Sequence, residues 1–250
     1  MWDKPELLNP LATVLYAVAA ALAAYAGALA VVSLPAFPLR EVRVAQPPVH
    51  VTPGEVEAIV KHELRGNFFT LDLAAARSAF ERLPWVRRAA VRRHWPGRLE
   101  VALEEHVPLA RWGERALVNT HGEVFAGAYD GALPLFSGPA GTAKEIAIQY
   151  AYFRRALGEI GLAPGELHVS PRRAWQVKLE NGPTLELGRE QIEARLARFV
   201  NAYARTLAKL GRRIEYVDLR YSNGFAVRVP ELAREKAPAR PGPMKKRARA

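Results

Sequence analysis

The sequence predicts an α+β protein: a single N-terminal transmembrane helix, a small domain of order β-α-α-β-β, and a mixed β domain with two longer helices. Three observations carry this. Residues 7–39 contain no charged side chain. Immediately after them, alternating and amphipathic segments follow in the order strand, helix, helix, strand, strand. Further on, two stretches of helical period are set among short strand-like runs.

The apolar segment is densest over residues 11–34, from Leu11 to Leu34, where Leu, Val and Ala are broken only by Thr13, Tyr16, Tyr25, Gly27 and Ser33. At about 1.5 Å per residue a helix of that length reaches roughly 36 Å, enough to cross a hydrocarbon core of about 30 Å with some tilt. A cleaved signal peptide fits less well. Its apolar stretch is about 7–15 residues after a basic start, whereas here Asp3, Lys4 and Glu6 precede a far longer run. The charge count around the span does not settle its orientation, because Lys4 precedes it while Arg40 and Arg43 follow.

About 200 residues remain beyond the span, enough for one large or two ordinary domains. The chain has no cysteine, which excludes a disulfide framework, a thiolate nucleophile and a Cys-zinc site. Of the formal net charge of +11, more than half comes from residues 234–250, with seven Lys or Arg against one Glu. Residues 231–250 are expected to be a disordered basic tail, because they lack the apolar residues a core requires.

Residues 39–45 alternate and read as a strand closed by Pro47 and Pro48. Thr52, Pro53 and Glu55 spell a capping box, and Val56, Ile59, Val60 and Leu64 form one stripe before Gly66. Asp72 caps a second helix whose Leu73, Ala76, Phe80 and Leu83 share a face, ended by Pro84. Residues 86–93 and 99–105 form a hairpin across a five-residue loop. In the expected register Arg93 faces Leu99, Val91 faces Val101, Ala89 faces Leu103, Arg92 faces Glu100 and Arg88 faces Glu104.

In the second domain, residues 109–112, 116–119 and 124–126 are strand candidates around the turn Asn119-Thr120-His121-Gly122. A helix over 142–160 is expected to be capped by Thr142 with Glu145 at N3, and stopped by Gly161. Strands at 167–170, 175–180 and 184–187 follow. A helix over 190–210 carries Ile192, Leu196, Phe199, Val200, Tyr203 and Leu207 on one side. The closing strands, 214–219 and 225–229, are expected to join through the Asn-Gly hairpin signal in Ser222-Asn223-Gly224.

Several separated blocks resemble one family in order and spacing. They are Gly66-Asn67-Phe68-Phe69-Thr70-Leu71-Asp72, Leu83-Pro84-Trp85-Val86, Val91-Arg92-Arg93-His94-Trp95-Pro96, Leu99-Glu100-Val101 and Glu105-His106-Val107-Pro108-Leu109-Ala110-Arg111-Trp112. Two more follow, Val118-Asn119-Thr120-His121-Gly122-Glu123-Val124-Phe125 and Tyr216-Val217-Asp218-Leu219-Arg220-Tyr221-Ser222-Asn223-Gly224-Phe225-Ala226-Val227. Together they resemble the polypeptide-transport-associated (POTRA) domain and the β domain of the FtsQ/DivIB family of bacterial division proteins. The resemblance runs from the span to residue 229.

The organisation this implies is a short cytoplasmic N-terminus (1–10), the transmembrane helix (11–34), a POTRA domain (39–107), an FtsQ-type β domain (108–230) and the basic tail (231–250). It implies a single-pass inner-membrane protein with periplasmic domains, concentrated at the division septum. Such a protein recruits FtsB, in complex with FtsL, and links early cytoplasmic division proteins to septal peptidoglycan synthesis.

The residues themselves spell no catalytic set. The six histidines (50, 62, 94, 106, 121 and 168) include no i, i+4 pair of the kind that places two metal ligands on one helical face. The stretch 138–144 lacks the GK[ST] ending of a P-loop, and Glu104 and Glu105, being adjacent, point to opposite sheet faces. The chain therefore reads as non-catalytic, without cofactor, metal, nucleic acid or small-molecule substrate. Two surfaces remain as partner sites. One is the edge of the terminal hairpin, with Arg220, Tyr221, Asn223 and Phe225, where an unpaired strand can accept another. The other is the POTRA hairpin, where Arg88, Arg92 and Arg93 are expected to lie outward, either docking other division proteins or neutralised by Glu100 and Glu104. Alternative readings are a membrane-tethered periplasmic enzyme, which needs a convergent catalytic set, and a POTRA-type assembly factor, which needs repeated POTRA units and barrel strands.

Overall fold

The computed structural model describes residues 5–34 and 36–230. The expected character of residues 1–4 and of the basic tail lies outside them. The chain divides into two compact units, Met1–His106 and Val107–Ala250.

The first unit opens with helix α1 (Pro5–Val32). Its apolar stretch, Pro10–Val32, is 23 residues long with no part buried by protein. A helix apolar all round buries itself only in a large core or in lipid. The helix ends two residues short of the expected Leu34. Ser33 Oγ donates back to Ala30 O at 2.9 Å, and Leu34 precedes a proline, which disfavours the helical region.

Strand β1 (Glu41–Val44), helices α2 (Pro53–His62) and α3 (Leu73–Glu81), and strands β2 (Val86–His94) and β3 (Arg98–Glu105) complete this unit. The sheet order is β1-β3-β2, with β1 parallel to β3 and β2 antiparallel to it. Thr52 and Glu55 close the capping box reciprocally, and Asp72 accepts from the N–H groups of Ala74 and Ala75. Phe80, Leu99 and Val101 are fully buried at the centre of the core.

All five expected hairpin pairs are present, from Arg93↔Leu99 to Arg88↔Glu104. Two details differ. His94 pairs Arg98, so the loop is three residues, 95–97, with a cis Trp95-Pro96 bond. A register shift between Val86 and Arg88 inserts Arg87 as a bulge residue, which brings its guanidinium to Glu104 at 2.6 Å.

The end of β3 pins the loop that follows β1. Glu105 accepts the backbone N–H groups of Val49, His50 and Val51 at 3.0, 2.9 and 2.9 Å. The His50 ring stacks on Trp85 with centroids 3.8 Å apart. Burial raises the Glu105 pKa, but the three donated backbone bonds outweigh it and hold the carboxyl below its ordinary value.

In the second unit the strands are β4 (Pro108–Trp112), β5 (Ala116–Asn119), β6 (Val124–Ala126), β7 (Leu135–Ser137), β8 (Pro164–Val169), β9 (Trp175–Leu179), β10 (Thr184–Gly188), β11 (Tyr216–Asp218) and β12 (Ala226–Arg228). They form one nine-stranded mixed sheet of order β12-β11-β10-β9-β8-β7-β4-β5-β6. Helices α4 (Ala143–Gly158) and α5 (Ile192–Arg205) contact β7, β8 and β10 as well as each other. Their buried residues join those of the sheet, including Phe136, Phe153, Val177, Leu185 and Phe199, in a single core.

Several expectations are corrected here. Thr142 does not cap α4: its backbone is already helical, and its buried hydroxyl donates to Pro139 O at 2.7 Å. Glu145 pairs with Arg173 instead of closing a capping box. The segment 190–210 is not one helix, because α5 ends at Arg205 and a 3₁₀ turn takes Leu207–Leu210. Strand β7 was not expected; its three residues are too short for a period to register, yet it bridges β4 and β8 through two parallel pairings. The last hairpin does not turn on Asn-Gly: β11 and β12 pair from Tyr216↔Arg228 to Asp218↔Ala226, leaving a seven-residue connection, 219–225.

Asn119, fully buried, builds the turn after β5 by accepting from His121 N and Glu123 N, each at 2.9 Å. Gly122 closes it at φ +77°, where an added Cβ would lie 2.5 Å from Lys144 Cα. Gly113, at φ +57°, has open space around it. Thermal unfolding should therefore separate the two. Gly113→Ala is expected to cost about 1–2 kcal/mol, from left-handed backbone alone, and Gly122→Ala at least about twice that, because backbone must also move.

Glu105 yields a pH prediction. Because its folded pKa is depressed, its contribution is complete above the unfolded pKa of about 4.3 and is lost as pH falls through the lower folded value. Glu105→Gln should destabilise the first unit by about 1–3 kcal/mol at neutral pH. In denaturation curves recorded from pH 7 to pH 3, the gap from wild type should close in acid.

Candidate partner-binding edge

Strand β12 lies at one border of the nine-stranded sheet, and among the described residues no strand pairs its outer side. The unpaired N–H and C=O groups of such a border are a template for another chain. Beside it the 219–225 connection carries Arg220, Tyr221, Asn223 and Phe225, so the four expected residues are brought together. Residues 221–226 line a groove of about 430 Å³.

Each of the four stands differently. Tyr221 is 58% exposed. Asn223 is exposed, whereas Phe225 is half-buried and packs on the core. Arg220 is exposed but fixed. Its N–H and Nε donate to Asp218 Oδ1 at 3.0 and 2.9 Å, and its Nη2 to Oδ2 at 2.6 Å. This two-pronged, charge-assisted grip sets the plane of the guanidinium. Asp218 is buried, and the Arg220 side chain holds its carboxyl below the usual range; the same carboxylate raises the Arg220 pKa further.

Helix α5 supports the connection from below. Arg198 Nη1 donates to Tyr221 O at 3.1 Å and Ser222 O at 2.6 Å. Arg195 Nη1 donates to Leu187 O at 2.5 Å, and its charge helps keep Asp218 ionised. Sequence reading did not single out Asp218, Arg195 or Arg198. A signal was present in each case: an acid inside an apolar strand two residues before Arg220, and two arginines at i, i+3 on one helix.

The expected arginine face of the β2–β3 hairpin is only partly assembled. Arg88 and Arg92 are exposed on one sheet face. Arg93, one residue on, points to the other face by the period of two, where its Nη2 donates to the carbonyls of Phe69 and Leu71. Glu104 forms its ion pair with Arg87 at 2.6 Å, and a Glu100 carboxylate oxygen lies 2.5 Å from His94 Nε2.

Ser137 Oγ and His168 Nδ1 lie 2.8 Å apart on β7 and β8, a contact that no sequence spacing reveals. A hydrolase triad needs a carboxylate on the other ring nitrogen, and among the described residues none bonds to His168. No group of three His, Asp or Glu that could hold a metal occurs among the described residues.

Residues 37–106 match the family described as POTRA domain, FtsQ-type, and residues 110–220 that described as Cell division protein FtsQ/DivIB, C-terminal. The chain is 45% identical over 233 residues to the cell division protein FtsQ of Nitrosospira multiformis, covering 91% of this chain and 99% of the relative. It is 46% identical over 236 residues to that of Burkholderia pseudomallei, covering 92% and 94%. To that of Bordetella pertussis it is 38% identical, covering 99% and 100%. With identity at this level along almost the whole chain, and the fold in agreement, the protein belongs to the FtsQ/DivIB family of bacterial cell division proteins.

Proposed function

We propose that this chain is a non-catalytic scaffold of the division machinery, anchored by α1 in the inner membrane with both folded units in the periplasm at the septum. It recruits FtsB, in complex with FtsL, by strand addition at β12. In this way it ties early cytoplasmic division proteins to septal peptidoglycan synthesis.

The observation that carries this reading is the open outer side of β12 beside an exposed Tyr221 and a pre-set Arg220. A strand added there gains main-chain bonds, and side chains from the 219–225 connection select which strand is accepted. Tyr and Arg suit that task, offering large contact area and directed hydrogen bonds. The anchor is supported by an uncharged, predominantly apolar stretch of 23 residues in one helix, none of its most apolar window buried by protein. Arg88 and Arg92, exposed on the POTRA sheet, are a second surface for other division proteins.

A pull-down with FtsB and FtsL tests the edge. Tyr221→Glu is expected to abolish capture while leaving the circular dichroism spectrum intact, and unchanged capture would place the partner elsewhere. Asp218→Asn, which releases Arg220, should weaken capture about tenfold, the scale of a single well-placed interface group. A topology reporter fused after residue 230 should read periplasm.

A further inference from the structure

The exit of α1 is not a free linker. Asn67 Nδ2 donates to Val32 O at 2.7 Å and Leu34 O at 2.9 Å, carbonyls that the end of a helix leaves without partners. Its Oδ1 accepts from Phe69 N and Thr70 N, each at 2.9 Å. Phe68 N donates to Phe37 O at 2.9 Å, and Arg40 N to Gly97 O at 2.8 Å. The segment leaving the span is thus stitched both to the loop before α3 and to the tip of the β2–β3 hairpin.

At this junction four aromatic rings gather. Phe69 lies 5.1 Å from Phe37 and 5.2 Å from Phe68, and Trp95 lies 5.8 Å from Phe68. Two of them face outward: Trp95 is 68% exposed and Phe69 40%. Arg40 lines the same groove as Trp95 and Pro96. Neighbouring exposed rings of this size on a folded domain mark a surface that something covers.

The occupant follows from the position. Phe69 is two residues from Asn67, within about 7 Å of chain, and Asn67 touches the last carbonyls of the span. The headgroup layer on each side of a hydrocarbon core is roughly 5–7 Å deep. We propose that Trp95 and Phe69 sit in the lipid headgroup layer, so that the POTRA unit rests on the membrane by the tip of its hairpin with Arg40 toward lipid phosphates. The inference rests on α1 crossing the membrane. Trp suits this layer, having an apolar body and one N–H to spend on water or a headgroup, and an arginine there gains from anionic lipid.

The test uses the full chain in vesicles made with lipid brominated near the headgroup, lipid brominated near the bilayer centre, or plain lipid. The fluorescence of Trp95 is the difference between wild type and Trp95→Phe. Headgroup-side bromines should quench it by about half or more, and central bromines clearly less. A Phe69→Trp change in the Trp95→Phe background gives an independent probe with the same expected ranking. Absent quenching, or quenching strongest from the centre, overturns the proposal, the first outcome assigning the rings to a protein partner. Alkaline extraction separates the two readings. A chain washed off the vesicles sinks the anchor and this inference together, whereas a retained chain with unquenched Trp95 sinks the inference alone.

Discussion

Backbone N–H and C=O groups removed from water must find partners, and this constraint organises the molecule from the end of α1 to β12. Where a regular ladder stops, a short polar side chain takes over the backbone groups it leaves. Asn67 does so for the carbonyls ending α1, Asp72 for the first N–H groups of α3, Glu105 for three consecutive N–H groups of the 49–51 loop, and Asn119 for the turn after β5. Each joins segments that the apolar cores alone would leave adjustable. Among the described residues no strand pairs the outer side of β12.

Legibility in the sequence followed the range of the interaction that decides each feature. The hairpin register was readable because a one-residue slip would turn every apolar residue of β2 to the wrong face, and Val91 does meet Val101. Thr52 and Asp72 were readable because their partners lie within three residues. Thr142 shows the same letters failing. Its hydroxyl is taken by Pro139 O and Glu145 is drawn to Arg173, a residue 28 positions away. Strand β7 exists only because β4 and β8 flank it, and no local pattern of three residues encodes two neighbours.

The site divides in the same way. Arg220 and Tyr221 are placed beside the terminal edge by the resemblance of the block 216–227, and the structure sets them on the connection between β11 and β12. The groups that hold them were not legible in the sequence. Asp218 sits in the ladder pairing of Glu186 and Ala226, and Arg198 reaches the connection from a helix more than twenty residues earlier. Arg93 is exposed as expected, but adjacent strand residues face opposite ways, so it does not share the surface of Arg88 and Arg92.

The length of β12 limits what strand addition can contribute. Three residues offer about two or three main-chain hydrogen bonds to a new neighbour. At a net 0.5–1.5 kcal/mol each these give roughly 1–4 kcal/mol, while a micromolar complex needs about 8. In the proposed complex the ladder would therefore fix direction and register, and most of the affinity would come from side chains in the groove. That makes their order before binding consequential, because each long side chain immobilised on association costs roughly 0.5–1.5 kcal/mol. Arg220 is already held by Asp218, and the backbone under Tyr221 is already held by Arg198. Part of that ordering cost is thus met in folding, so a short edge can be selective without being the long, flat border that invites indiscriminate pairing.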